Sequence, residues 1–471
     1  MKSIVLITLL FTLSIYGFAD NINVEPKVDK RIELLSTVFR LAEAHEYVNN
    51  DLEDYAKEVD AYFKKFKHHK VVKLAKKARL FSGVSFDAVA SMATSIEITP
   101  NGIQLQPNLK EESLDDRWKP KKIKKFVSAL NDFYQVSKFD LFYEDHTEFY
   151  KRAQDNFNGI LNEVDFDWFE SFYGENPKGD FKLVLAMLNG RSNYGSTNKY
   201  KNGGEEIYAI IGVSKTDDEG FPIFKPNILE IVIHEFNHSL CNKLMESHYD
   251  QMKDKSQEIF KLVKDNLRRQ AYSKVLTMNC EILVRACVIQ YYKEKQLDKD
   301  FQIMIANEQS RGFLWIDKLC DELDEYEKKR THYASLSDFM PEIVNVQNNL
   351  DVDALWEDYY KGCPQIIGFN IENGSKNVDP AIDTLIITFD QPMFTRNYGM
   401  SYGKKGKKYF PEFQKNVKPE WKGEATQWTI PIILKPGKTY SLMIPDQFFR
   451  SENYKKLLKK DYFLDFKTSK K

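Results

Sequence analysis

The chain has 471 residues, 42 % of them hydrophobic and 29 % charged, with a formal net charge of −1. That length and composition describe a globular protein of two or three domains, and near neutrality gives no basis for a nucleic-acid partner. The five cysteines (Cys241, Cys280, Cys287, Cys320, Cys363) are too few for a disulfide scaffold, and their odd count leaves at least one unpaired within the molecule.

Met1 to Ala19 has a positive start at Lys2, an apolar run from Ile4 to Phe18, and small residues Gly17 and Ala19 where a signal peptidase reads. A signal peptide over 1–19 is therefore expected, with the mature chain exported to the periplasm or beyond. The run is short and abruptly polar afterwards, and the first cysteine is Cys241, so neither a membrane anchor nor a lipoprotein anchor is expected.

Residues 20–165 read as a helical, aromatic-rich region. Apolar residues recur at three- and four-residue steps over Arg31 to Tyr47, Leu52 to Phe66, Lys121 to Tyr134 and Asp145 to Leu161. A hairpin interrupts them, because Ser95 to Thr99 and Gly102 to Gln106 flank the turn pair Pro100-Asn101. His45, His68, His69 and His146 fall here. Adjacent residues diverge on a helix, so His68 and His69 make a poor chelate and read better as part of a solvated basic face.

Residues 166–362 carry the chemistry. Gly179 to Leu188 and Glu206 to Val213 read as strands, and the polar, glycine-rich stretch Asn189 to Gly204 between them as a long loop at a rim. The strand just before the next helix is a candidate exposed edge for an extended peptide. Pro226 to His248 then reads as one buried helix, with Pro226 at a first helical position and apolar residues at helical spacing.

This helix contains His234-Glu235-Phe236-Asn237-His238. Four residues make slightly more than one turn, so His234 and His238 share a face and can offer two imidazole nitrogens to one ion. Glu235 lies about 100° round the helix, beside that ion. The arrangement is HExxH: two zinc ligands and a carboxylate placed to take a proton from a water on the metal. It resembles zinc-dependent metallopeptidases, which implies a peptide or protein substrate and Zn2+ as cofactor.

No glycine follows the motif until Gly312. The turn that returns a nearby histidine to the metal in metzincins is therefore missing, and His248 would lie about 15 Å further along an unbroken helix. The remaining design takes a carboxylate from a later helix, as in gluzincins. Glu281 is the best placed, because Ile282 to Ile289 are apolar except for Arg285 and a carboxylate in so buried a helix needs a partner. Arg285, one turn on, is placed to orient Glu281. A plain Glu281–Arg285 ion pair is the alternative; Glu246, on the motif helix itself, and Asp254 and Glu258, in a charge-laced, solvent-facing pattern, are weaker candidates. Tyr333 and His332, in a loop between helices, are candidates for a second donor to a substrate carbonyl. On the same helix as Glu281, Cys280 and Cys287 would lie about 10 Å apart, too far to bridge each other.

From Cys363 the pattern changes to short strands. The segments NGSKNV (373–378), TFDQPM (388–393), GKTY (437–440) and a closing FKT (466–468) resemble those of the bacterial Ig-like domain of exported and surface-layer proteins. The resemblance implies a β-sandwich over 363–471 that acts as a spacer or binds a surface or glycan partner. As a whole the layout resembles a group of exported Bacteroides-type proteins whose HExxH-containing domain has no assigned function. The fold class expected is α+β: a mostly helical metallopeptidase-like region with a small sheet, followed by the Ig-like sandwich. The function expected is a zinc-dependent hydrolase of gluzincin type; the alternative is a non-catalytic exported binding protein with a structural or vestigial metal site.

Overall fold

The computed structural model describes residues 24–48, 52–174, 179–213, 215–224, 228–270, 272–297, 301–452 and 461–470. The leader expected at 1–19 and the expected helix start at Pro226 lie outside them. The chain is α+β, and none of its described helices is long and apolar enough to cross a membrane. It divides into two compact units. The first ends at Phe236 and excludes Phe172–Gly174; the second comprises Phe172–Gly174 and everything from Asn237 onward. The division falls inside the segment read from sequence as the metallopeptidase-like domain.

The first unit is built on a four-stranded sheet in the order β1 (Pro26–Val28), β4 (Asp180–Ala186), β6 (Glu205–Gly212), β5 (Tyr194–Lys199). The first two pairings are parallel and β5 runs antiparallel to β6. Leu183 to Leu188 and Ile207 to Ile211 are buried without alternation, the pattern of strands covered on both faces. A separate hairpin pairs β2 (Ile96–Thr99) with β3 (Gly102–Leu105). Leu34, Leu35, Val38 and Phe39 of the helix Lys30–Leu41 are fully buried, and Asp29 caps its start by accepting from the Arg31 N–H. Glu33 of this helix is also fully buried. It accepts from the Met187 N–H at 2.8 Å and the Tyr55 hydroxyl at 2.9 Å, and burial pushes its carboxyl up to about 7 against these bonds. His69 is spoken for structurally: its Nδ1 accepts from the Val71 N–H and its Nε2 meets Asp132.

Two sequence expectations change here. The middle of the stretch read as a rim loop is β5, whose YGSTNK sequence lacks an apolar alternation but whose register is fixed by six consecutive partners on β6. The strand before the motif helix, β6, is consequently internal, and the edge belongs to β5.

The motif helix is continuous from Ile228 to Arg268, its residues through Phe236 counted in the first unit and those from Asn237 in the second. Helices Val275–Glu294, Phe301–Arg311, Ile316–Lys328, Leu336–Asn348 and Val352–Lys361 follow. Val275–Glu294 is buried on nearly every side from Met278 to Tyr292, as its unbroken apolar run dictates. Beyond Cys363 the strands form two antiparallel sheets. One joins β7 (Ile366–Phe369), β8 (Thr384–Phe389), β12 (Gln427–Ile433) and β10 (Glu412–Phe413), with β11 (Glu420–Lys422) also on β12. The other orders β14 (Tyr462–Lys467), β13 (Thr439–Ile444) and β9 (Ser401–Tyr402). Leu385, Ile387, Trp428 and Ile430 of the first sheet share one core with Tyr440, Leu442, Ile444 and Phe466 of the second.

Candidate metal centre

The motif helix is fixed by its apolar flank. Val232 and Ile233 are fully buried, and Phe236 packs on Phe166, Phe169 and Phe181 with ring centroids 4.4–5.7 Å away. Those contacts bury one side of the helix and leave His234, Glu235 and His238 half-buried on another. Asn237, inside the motif, is fully buried and accepts the Tyr173 hydroxyl proton at 2.7 Å.

His234, His238 and Glu281 each offer a ligand atom, and these atoms lie within 4.8 Å of one another. His238 Nε2 is 3.5 Å from Glu281 Oε1. Two donors sharing a tetrahedral metal at 2.0–2.1 Å would stand about 3.3 Å apart, so the spacing suits an ion between them. The tautomer argues the same way. His238 Nδ1 lies 3.1 Å from Asn242 Oδ1, an acceptor, so Nδ1 carries a hydrogen and Nε2 is the nitrogen turned toward the Glu281 carboxylate. The residues present therefore fit a divalent metal of the zinc type, with two imidazoles and one carboxylate as ligands and a position left for water.

Glu281 is held from behind. Its Oε2 accepts from Arg285 Nη2 at 2.9 Å. Arg285 also donates to Glu308 at 2.8 Å and to the Tyr272 hydroxyl at 3.2 Å, and its guanidinium lies over the Phe313 ring. Burial would lower the Arg285 pKa, but the carboxylates of Glu308 and Glu281 outweigh it and raise the value. Tyr272 is raised too, by burial first and then by the Glu281 charge. Glu308 matters because it shares the Arg285 guanidinium with Glu281 and so holds the group that positions that carboxylate.

Glu235 stands beside β5. A Cβ added at Gly195 would lie 2.9 Å from Glu235 Oε2, so the glycine is what admits the carboxylate. β5 is an edge strand whose outward groups can be assigned. Lys199 uses its N–H and C=O away from β6, toward Ser113 and Lys110. By the alternation of an antiparallel pair, Gly195 and Thr197 face outward as well.

The other sequence candidates are elsewhere. His248 donates from Nδ1 to the Leu244 carbonyl at 2.9 Å and is not in the group. Glu246, Asp254 and Glu258 are exposed. The Tyr333 hydroxyl donates to Glu342 at 3.1 Å and its ring packs on Phe339, with His332 edge-on to it; neither belongs to the group. Sequence reasoning missed Asn242, Gly195, Tyr272 and Glu308. Asn242 had a readable signal, an amide one turn after the second histidine; the other three come from elements that only folding brings near.

One comparison decides the family, because its model matches residues 19–346. The chain belongs to DUF4932, a domain of unknown function. The DUF4932 match takes in every residue of the group and its surroundings and ends before the C-terminal strands. No curated protein matches the chain. Among solved structures, the S-layer protein rSbsC(31-844) is similar at 14 % identity over 51 % of this chain and 34 % of its own, with a TM-score of 0.18. The N-terminal part of the bacterial S-layer protein SbsC is similar at 14 % identity over 55 % of this chain and 60 % of its own, with a TM-score of 0.17. Superpositions this loose carry no argument about fold or function.

Proposed function

We propose that this protein is an exported zinc-dependent hydrolase acting on peptide bonds. The observation that carries the reading is the convergence of His234, His238 and Glu281 within 4.8 Å, with Glu235 adjacent in the motif. Those three residues would hold the zinc ion. When bound, zinc supplies a Lewis acid and a water acidified to a pKa of about 7. Glu235 is the general base: its carboxylate takes the proton of the attacking water and gives it to the leaving amine. Asn242 keeps the His238 tautomer fixed, and Arg285, itself held by Glu308, keeps the Glu281 carboxylate aimed.

The outward N–H and C=O of Gly195 and Thr197 support a peptide over another amide. An extended chain can add to that edge and lie alongside the strand whose glycine borders Glu235. The strands after Cys363 extend the reading to an Ig-like module that acts as a spacer or binding part without chemistry of its own. Metal analysis of the purified full chain, followed by a peptide-library digest, tests the proposal. The expected result is one zinc per chain and cleavage that falls by several orders of magnitude in Glu235→Gln with zinc retained. A metal-free chain, or a Glu235→Gln variant that turns over normally, would overturn it.

A further inference from the structure

We propose that Cys241 and Cys287 form a disulfide that ties the motif helix to the helix carrying Glu281. Cys241 lies on the turn after His238, and Cys287 lies beyond Glu281 on the next helix. Both side chains are fully buried, and the two sulfurs are 3.8 Å apart, held as thiols in the structure. A disulfide needs about 2.05 Å, so the sulfurs must close by roughly 1.8 Å, which small side-chain rotations shared by two residues can supply. Among the described residues no other pair of cysteine sulfurs is in hydrogen-bond contact, and Cys363 donates instead to the Tyr359 carbonyl.

The surroundings tolerate the loss of both thiol protons. Tyr173 already gives its hydroxyl proton to Asn237, and its oxygen lies 3.0 Å from Cys241 Sγ, placed to accept from the thiol. Oxidation removes that thiol proton and strands no donor. Burial raises the Cys241 thiol well above its ordinary pKa, so the folded protein holds little thiolate and the bond is made while the chain folds.

The reaction is thiol–disulfide exchange with a protein or small-molecule disulfide as oxidant. One cysteine thiolate attacks the oxidant, forms a mixed disulfide and expels one thiolate. The second cysteine then attacks that cysteine's sulfur and expels the other. Two thiols are oxidised to one disulfide, and the oxidant leaves as two thiols that carry the two protons. The link closes a loop across 46 residues and restricts the unfolded chain in the segment that runs from just after His238 to just beyond Glu281. It rests on sulfur geometry alone and stands or falls apart from the zinc reading.

The test uses the full chain in two preparations, one secreted into an oxidising bacterial periplasm and one refolded in a buffer of reduced and oxidised glutathione. Each is unfolded in excess alkylating reagent and mapped by mass spectrometry without reduction. The expected result is a Cys241–Cys287 linked peptide with Cys280, Cys320 and Cys363 alkylated. Reduction should lower the Tm by on the order of 10 °C, and the Cys241→Ala/Cys287→Ala variant should show no response to reductant. Five alkylated cysteines in both preparations, or a link to any other cysteine, would overturn the proposal.

Discussion

Gly195→Ala separates the chemistry from the fold. The new methyl carbon would lie 2.9 Å from Glu235 Oε2, where ordinary contact begins at about 3.4 Å, and no other heavy atom lies within 4 Å of it. The carboxylate is the far end of a flexible side chain and retreats by roughly half an ångström or more at little cost. Gly195 sits in regular β5 and its φ is not positive, so alanine brings no backbone strain. Restricting the unfolded chain should even stabilise the variant by about 0.4–1 kcal/mol. A general base displaced on that scale costs much more in rate. A misplacement of about 1 Å lowers turnover by about 100-fold, so a loss of about 10- to 100-fold is expected, or about 1.4 to 2.7 kcal/mol of barrier. The assay is kcat and KM on a library-selected peptide, with zinc content and urea unfolding measured alongside. A variant that keeps zinc and stability but also keeps full kcat would refute the placement of Glu235 as base beside the edge strand.

Three further outcomes follow from the same geometry. Glu281→Ala should weaken zinc binding by more than about 100-fold in a competitive chelator titration while His248→Ala leaves it nearly unchanged; the reverse ranking would remove Glu281 from the ligand set. Asn242→Ala frees the His238 tautomer and should cost about 10- to 100-fold in zinc affinity, and an unchanged value would show that the 3.1 Å contact does not set the ring. Glu33 ionises near 7 in the fold against an ordinary 4.5, so the unfolded chain loses its proton first as pH rises. Its contribution to stability is complete below about pH 4.5 and is lost as pH rises to 7, a fall of about 3 kcal/mol by pH 8. Glu33→Gln should remove that slope in urea unfolding at pH 5 and pH 8, since an amide can still accept from Met187 and bond Tyr55. Equal slopes in the two proteins would refute it.

The sequence by itself determined whatever depends on local periodicity. The helix that carries His234 and His238 is legible because its apolar residues recur every three to four positions, and two histidines four apart share a face on any helix. Glu281 was legible as a carboxylate stranded in an apolar run, and Arg285 as its neighbour one turn on, because both arguments stay within one element. The hairpin around Pro100-Asn101 and the β-rich character after Cys363 were legible from turn residues and alternation in the same way.

Only the tertiary structure decided what lies between elements. It brought Glu281 within reach of the histidines from a helix that begins after the motif helix has ended, a distance that no spacing in sequence encodes. It supplied Glu308 and Tyr272 to Arg285, and it set two buried thiols in contact. It also turned a polar, glycine-rich stretch into edge strand β5. Strand formation there depends on hydrogen bonds to β6 rather than on the residues' own propensities, and the glycine that looked like a loop residue is one whose missing side chain leaves room for Glu235 Oε2.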